Sequence, residues 1–144
     1  MNGPGLQTTL ADKVPRLKLS RLWWVVGWVI VVFITISCLE PPRYVPDLHT
    51  SDKVEHAAAY FGMTFWFGGL VRPRRYLILA FWMLLFGAGI EVAQGLMGLG
   101  RSADVWDFTA DAVGIAMALL LVYIGLGSWM WRVERLLGLS RESP

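Results

Sequence analysis

Four long apolar runs restrict what this chain can fold into more than any other feature of its sequence. A helix needs about 20 apolar residues to cross the hydrocarbon core of a membrane and tolerates about 17. The runs cover residues 22–39, 57–71, 76–100 and 104–127. Of the 144 residues, 56% are hydrophobic and only 17% are charged, which is not the composition of an ordinary soluble domain. We therefore predict an all-α integral membrane bundle of four transmembrane helices.

The second run is short for a membrane span and has polar residues at its start. Residues 57–71 extend only about 22 Å at about 1.5 Å per residue, whereas the hydrocarbon core is about 30 Å thick. To cross the membrane, this helix must draw Glu55 and His56 toward it. The polar residues near the ends of the spans are therefore the candidates for function.

The distribution of lysine and arginine predicts the orientation of the spans. Of the 13 basic residues, ten lie in the two terminal tails and in the loop between the second and third spans. Only Arg43, Lys53 and Arg101 lie on the opposite side. Because basic residues are enriched in cytoplasmic loops, we expect both termini in the cytoplasm. The net charge of +2 follows from this topology and indicates no nucleic-acid partner.

This topology divides the chain into three parts. A basic cytoplasmic tail covers residues 1–21, a transmembrane domain covers 22–128, and a C-terminal segment over 129–144 is expected to lie along the inner interface. The first span could also be read as a cleaved leader, because the residues from Thr35 to Cys38 loosely match a lipoprotein cleavage box. Trp23, Trp24 and Trp28 instead favour a retained span with an interfacial aromatic belt.

The polar residues of the fourth span recur at helical spacing. Successive separations of three, four, three and four residues place the following on one helix face: Asp104, Asp107, Asp111, Gly114 and Ala118. The face carries acidic residues at its outer end and small residues further in. Because small residues let another helix approach closely, we expect this face to point into the bundle rather than toward lipid.

Two neighbouring spans carry matching stripes. The third span contributes Gly87, Glu91, Gln94 and Gly98, and the second contributes Lys53, His56, Tyr60 and Met63, with Asp52 one turn before His56. Measured from the outer ends, the polar groups lie between about 5 and 14 Å deep. A carboxylate at the centre of a span costs about 2.5 to 3.5 kcal/mol, so these groups need partners, water or a proton. The sequence thus predicts one polar layer in the outer half of the membrane.

The stretches SDKVEHAAAYFG, EVAQ and RSADVWDFTADAVG, in this order and spacing, resemble the VanZ-like membrane protein family. The resemblance covers about residues 52–114. Asp111 departs from the pattern, since many members carry asparagine there. The resemblance implies a small multi-pass protein of the bacterial plasma membrane, and the founding member of the family is associated with low-level resistance to the glycopeptide teicoplanin. It implies a cellular context rather than a reaction.

From the residues we predict a polar pocket, open to the outer face, that binds or modifies a membrane lipid or a lipid-linked envelope precursor. The candidate catalytic residues are His56, Glu91, Asp107 and Asp111. A histidine beside a carboxylate supplies a general base and the group that orients it. The candidate substrate-binding residues are Asp52, Lys53, Tyr60, Gln94 and Arg101. If the protein is an enzyme, we expect hydrolysis or group transfer on a lipid-linked phosphate or ester.

Several alternatives fit the same pattern. The carboxylates and His56 could hold a divalent metal ion, although their spacing matches no metal-ligand signature, and the sequence indicates no other cofactor. A proton-coupled transporter would also place carboxylates and a histidine in the membrane. A non-catalytic accessory protein would use the pocket only to bind a ligand or partner.

Overall fold

The computed structural model describes residues 17–40, 51–97 and 104–139, and within these ranges the chain forms helices and turns with no β-strand. The helices are α1 (Ser20–Leu39), α2 (Asp52–Gly68), α3 (Tyr76–Met97), α4 (Val105–Tyr123) and α5 (Trp129–Leu136). Short 3₁₀ turns precede α3 at Pro73–Arg75 and α5 at Leu126–Ser128. The predicted all-α class is confirmed for the described residues.

Three stretches are long and apolar enough to cross a membrane: α1, Pro73–Met97 and α4. Helix α2 is not one of them, because it has 17 residues and begins with Asp52, Lys53 and Glu55. At about 1.5 Å per residue it is about 25 Å long. The polar start that the sequence indicated for the second run is thus what separates α2 from the other three helices.

The centre of the bundle is the pair formed by α2 and α4. The buried residues of α4 are Asp107, Asp111, Gly114, Ile115, Ala118 and Val122, which include four of the five residues of the predicted stripe. Gly114 lies directly against the backbone carbonyl of Ala57, and a Cβ at Gly114 would also lie 3.0 Å from the Phe61 amide nitrogen. The prediction that this face points into the bundle and permits close helix contact is confirmed.

The outer surface of the bundle is apolar. Leu77 and Leu96 on α3 are 83% and 82% exposed, and many other large apolar side chains on α1, α3 and α4 also point outward. Helix α1 is the least embedded, since Gly27 is its single buried residue and faces the rings of Trp66 and Phe67. Apolar exposure on this scale suits contact with lipid rather than water.

Helix α5 closes the end of the bundle where α1 begins. Glu134 in α5 is fully buried and accepts hydrogen bonds from the backbone N–H groups of Lys18 and Leu19, at 2.8 and 3.0 Å. It also accepts one from Nε1 of Trp23 at 2.9 Å. The segment expected to lie along the interface is therefore anchored to α1 by a buried carboxylate, while Leu136 remains exposed.

Candidate functional site

The polar residues of α2, α3 and α4 meet where α2 and α4 begin and α3 ends. We call this group the polar cluster, and its members are Lys53, His56, Tyr60, Glu91, Asp104, Asp107 and Asp111. Helix periodicity explains the meeting, because each helix carries its polar groups three or four residues apart on one face. The close α2–α4 contact at Gly114 then places the two faces side by side.

Lys53 links the two outermost carboxylates of the cluster. Its Nζ lies 2.9 Å from Asp104 Oδ2 and 2.9 Å from Asp107 Oδ1. The Lys53 ammonium and the backbone N–H of Trp106 hold the pKa of the Asp104 carboxyl below its usual range. Asp104 is also the N-cap of α4. The charge of Lys53 is therefore already balanced by carboxylates of the protein itself.

His56 and Asp111 form the deepest ionisable pair of the cluster. His56 Nδ1 lies 2.9 Å from Asp111 Oδ1, and the two side chains are 4% and 1% exposed. When Asp111 is ionised it can only accept a hydrogen bond, so the Nδ1–H of His56 is then the donor. Nε2 is then left as an acceptor. This is the arrangement of a general base held in one tautomer by a carboxylate.

Glu91 brings α3 into the cluster. Its Oε2 accepts the backbone N–H of Asp104 at 2.8 Å, which ties the end of α3 to the beginning of α4. One turn later on α3, Gln94 donates from Nε2 to the carbonyl of Cys38 at 2.9 Å. Gln94, a predicted substrate-binding residue, thus also connects α3 to the end of α1.

Three buried polar atoms of the cluster have no hydrogen-bond partner among the described residues: Tyr60 Oη, Glu91 Oε1 and Asp111 Oδ2. Gly87 makes the space they occupy, since a Cβ there would lie 2.8 Å from Asp111 Oδ2 and 3.3 Å from Tyr60 Oη. Buried polar atoms are normally paired, so unpaired ones point to a group not supplied by these residues.

Two sets of side chains lie close enough together to bind one metal ion. His56, Glu91 and Asp111 each offer one donor atom, and these atoms lie within 4.8 Å of one another. Asp52, His56 and Asp107 meet the same limit at the more exposed side. Arg101, the remaining predicted binding residue, lies outside the described residues.

A small cavity reaches the polar cluster from between α1 and α2. It has a volume of about 180 Å³ and is lined by Phe33, Ile34, Ser37, Cys38, Asp52, Glu55, His56 and Ala59. The wall on α1 is mostly apolar, with Ser37 as its one hydroxyl, and the wall on α2 carries His56 and two acids. A larger cavity of about 410 Å³ lies between α1, α2 and α3 toward the opposite end, and its lining is apolar apart from Arg75 at one edge.

Glu134 is the buried carboxylate that sequence reasoning missed. It lies in the C-terminal segment between Arg132 and Arg135, where an acid is expected to be solvated. The available signal was that Glu134 is the single acid within the apolar-rich stretch WMWRVERLLGL. Its three donors come from the start of α1, more than a hundred residues earlier in the chain, so its burial could not be derived locally.

Comparison with known proteins adds no relative: no family model, curated protein or solved structure matches the chain.

Proposed function

We propose that the protein crosses the bacterial plasma membrane four times, with both termini in the cytoplasm. In this proposal α2 also crosses the membrane, in addition to the three more apolar helices. Helix α2 packs between more apolar helices, and its polar residues His56, Tyr60 and Thr64 are buried against neighbouring protein rather than exposed to lipid. The described basic residues are concentrated at the end of the bundle that holds Glu134: Lys18, Arg21, Arg72, Arg74, Arg75, Arg132 and Arg135. Among the described residues, Lys53 alone is basic at the other end.

We further propose that the polar cluster binds or modifies a membrane lipid or a lipid-linked envelope precursor, as the mixed polar and apolar character of the pocket suggests. The observation that carries this proposal is the buried His56–Asp111 pair, which lies beside a cavity with one apolar and one polar wall. An acyl or prenyl chain fits the apolar wall on α1, and a polar headgroup fits the wall on α2. Resistance to teicoplanin would follow from altered envelope lipid chemistry.

The chemistry that this pair supports is hydrolysis or transfer at a phosphate or ester. Nε2 of His56 would take a proton from water while the water oxygen attacks the phosphorus or the acyl carbon. The bond to the leaving oxygen then breaks, and that oxygen receives the proton from His56. Asp111 holds the tautomer and stabilises the imidazolium. Lys53 contributes less to anion binding than its sequence position suggested, because two carboxylates already balance its charge.

Proton-coupled transport has less support. Below the polar cluster, the buried side chains of α2 and α4 toward the basic end are Met63, Thr64, Phe67, Ile115, Ala118 and Val122. None of them is ionisable. Among the described residues, a proton relay would therefore have to cross this apolar layer before reaching Glu134.

The experiment that tests the proposal uses the purified full-length chain in vesicles. Vesicles of phosphatidylglycerol, with or without polyprenyl pyrophosphate, would be assayed for released phosphate and acyl products, and retained lipids would be identified by mass spectrometry. We expect turnover to fall by at least about 100-fold in His56→Gln. Arg132→Gln, which removes an exposed charge at the opposite end of the bundle, is the control and should retain most of the activity.

The outcomes separate the candidate functions. Retained lipid without turnover would support an accessory binding role in place of catalysis. If neither lipid is retained or turned over, the lipid proposal is wrong. Proton uptake into the vesicles on acidification of the outside would then support transport in its place.

A further inference from the structure

The buried side of the polar cluster contains two carboxylate oxygens that lack a partner among the described residues. These are Glu91 Oε1 and Asp111 Oδ2, on side chains that are only 7% and 1% exposed. An ionised carboxylate can only accept, so each oxygen needs a hydrogen-bond donor or a cation. Leaving such an atom buried and unpaired is unfavourable, because it loses the hydrogen bonds that water would provide.

Charge in the cluster is unevenly balanced. Lys53 neutralises carboxylates at the exposed side, through its contacts with Asp104 and Asp107. At the buried side, Glu91 and Asp111 face His56, which is the one group among the described residues there that can become a cation. Two carboxylates beside one imidazole carry excess negative charge, and a divalent cation would neutralise it.

The geometry matches a shared ion. One donor atom each from His56, Glu91 and Asp111 lies within 4.8 Å of the other two. In a tetrahedral site, ligand atoms about 2.1 Å from the ion lie about 3.4 Å from one another, so these side chains reach coordination distance by rotating inward. Gly87 leaves the room for this rotation, because no side chain there blocks Asp111 Oδ2.

We infer that His56, Glu91 and Asp111 form a binding site for a single divalent metal ion of the Zn²⁺ or Mn²⁺ type. An imidazole with two carboxylates suits these ions better than Mg²⁺ or Ca²⁺, which prefer oxygen ligands alone. Three protein ligands leave at least one coordination position open. The buried hydroxyl of Tyr60, which also lacks a partner among the described residues, lies beside Gly87, as does Asp111 Oδ2.

A bound ion would take the place of the free His56 base in the step proposed above, because a metal ion activates water directly. Metal binding itself can be measured in detergent with no lipid turnover, so its failure and the failure of the lipid function are distinguishable. The full-length protein would be stripped with a chelator, incubated with Zn²⁺ or Mn²⁺ alone, and dialysed. Metal content would be measured by mass spectrometry, and affinity by calorimetry. We expect one ion per chain in the wild type, and an affinity at least about 10- to 100-fold weaker in Glu91→Gln and Asp111→Asn.

Glu134→Gln is the matched control, since it removes a buried carboxylate at the other end of the bundle and should leave the affinity unchanged. Where a cluster variant does not fold, the wild-type result decides, because the number of bound ions and the electron paramagnetic resonance spectrum of bound Mn²⁺ require no variant. A wild type that retains no ion would overturn the inference. Equal metal affinity in the wild type and in all three variants would overturn the inference as well.

Discussion

Lys53 and His56 lie one helical turn apart on α2 and contact carboxylates of α4 in different surroundings. The Lys53 side chain is 47% exposed and contacts Asp104 at the surface, whereas the His56–Asp111 pair is almost completely buried. The sequence indicated that His56 would pair with Glu91, Asp107 or Asp111. The register between α2 and α4 selects Asp111, because it places Asp107 beside Lys53 one turn further out.

Replacing Lys53 with methionine should change how stability depends on pH. Lys53 holds the pKa of Asp104 below its ordinary value of 3.8. Because the pKa of Asp104 is lower in the folded protein than in the unfolded chain, its ionised carboxylate stabilises the fold at pH values above 3.8. This contribution is lost as the pH falls through the pKa of Asp104 in the folded protein. We expect Lys53→Met to be less stable near neutral pH, since the buried Asp107 loses its cation. Its further loss on acidification below about pH 4 should be smaller than in the wild type.

Thermal unfolding in detergent between about pH 7 and pH 3 measures this difference. Arg132→Met, which removes an exposed cation at the other end of the bundle, is the control and should keep the acid dependence of the wild type. Parallel curves for the wild type and Lys53→Met would contradict the prediction.

At the scale of helices, close packing of α2 on α4 brings the two polar faces together. The contact requires glycine at position 114, because an added Cβ would meet the backbone of Ala57 and Phe61. Gly62 on α2 has open space around it, with nothing within 4 Å of an added Cβ. The two glycines therefore separate the effect of helix propensity from that of helix packing.

Gly114→Ala and Gly62→Ala should have opposite effects on stability. Alanine in a helix is normally favoured over glycine by about 0.5 to 1 kcal/mol, so Gly62→Ala should be neutral or stabilising. Gly114→Ala forces α2 and α4 apart and should cost about 1 to 3 kcal/mol. Unfolding of both variants in mixed detergent micelles measures the free energies. A stabilised Gly114→Ala would show that the two helices do not pack at this point.

Glu134→Gln should loosen the attachment of α5 to α1. Glutamine retains one acceptor oxygen in place of two, so at least one of the donors from Lys18, Leu19 and Trp23 is left unsatisfied. Each unsatisfied buried donor costs about 1 to 3 kcal/mol. Hydrogen exchange at residues 18–23 should therefore become faster, while exchange in α4 changes little. Unchanged exchange at the start of α1 would mean that Glu134 does not hold it.

At the scale of the whole molecule, an apolar outside surrounds a polar interior. The described helices expose leucine, phenylalanine and tryptophan and bury His56, Glu91, Asp107, Asp111 and Glu134. This inverts the pattern of a soluble bundle and suits a lipid environment. The buried acids lie at two levels, the polar cluster at one end and Glu134 at the other.

Single-cysteine labelling should reveal four crossings with both ends of the chain in the cytoplasm. Cys38 is the only cysteine, so Cys38→Ser provides a cysteine-free background. A cysteine placed at position 48 should react with a membrane-impermeant maleimide in intact cells. Cysteines at positions 74 and 142 should react only after the membrane is permeabilised. Reaction of all three in intact cells would contradict the proposed topology.

Much of the architecture follows from the sequence alone. Long apolar runs determine helices in a membrane, because a backbone without water must satisfy its hydrogen bonds internally. Three- and four-residue spacing determines which polar residues share a face, and the buried face of α4 agrees with that spacing. The shortness of the second run was also visible in the sequence, and α2, with 17 residues, is the shortest of the first four helices.

Only the tertiary structure decided the pairing of these faces. The sequence placed a histidine and several carboxylates in one layer, but the depth to which α2 and α4 interlock at Gly114 joins His56 to Asp111 and leaves two carboxylate oxygens unpaired. It also buries Glu134 against the start of α1. The periodicity of residues along one helix determines the face on which each side chain lies. Contacts between two helices also depend on how far one is shifted along the other, and no local sequence pattern encodes that shift.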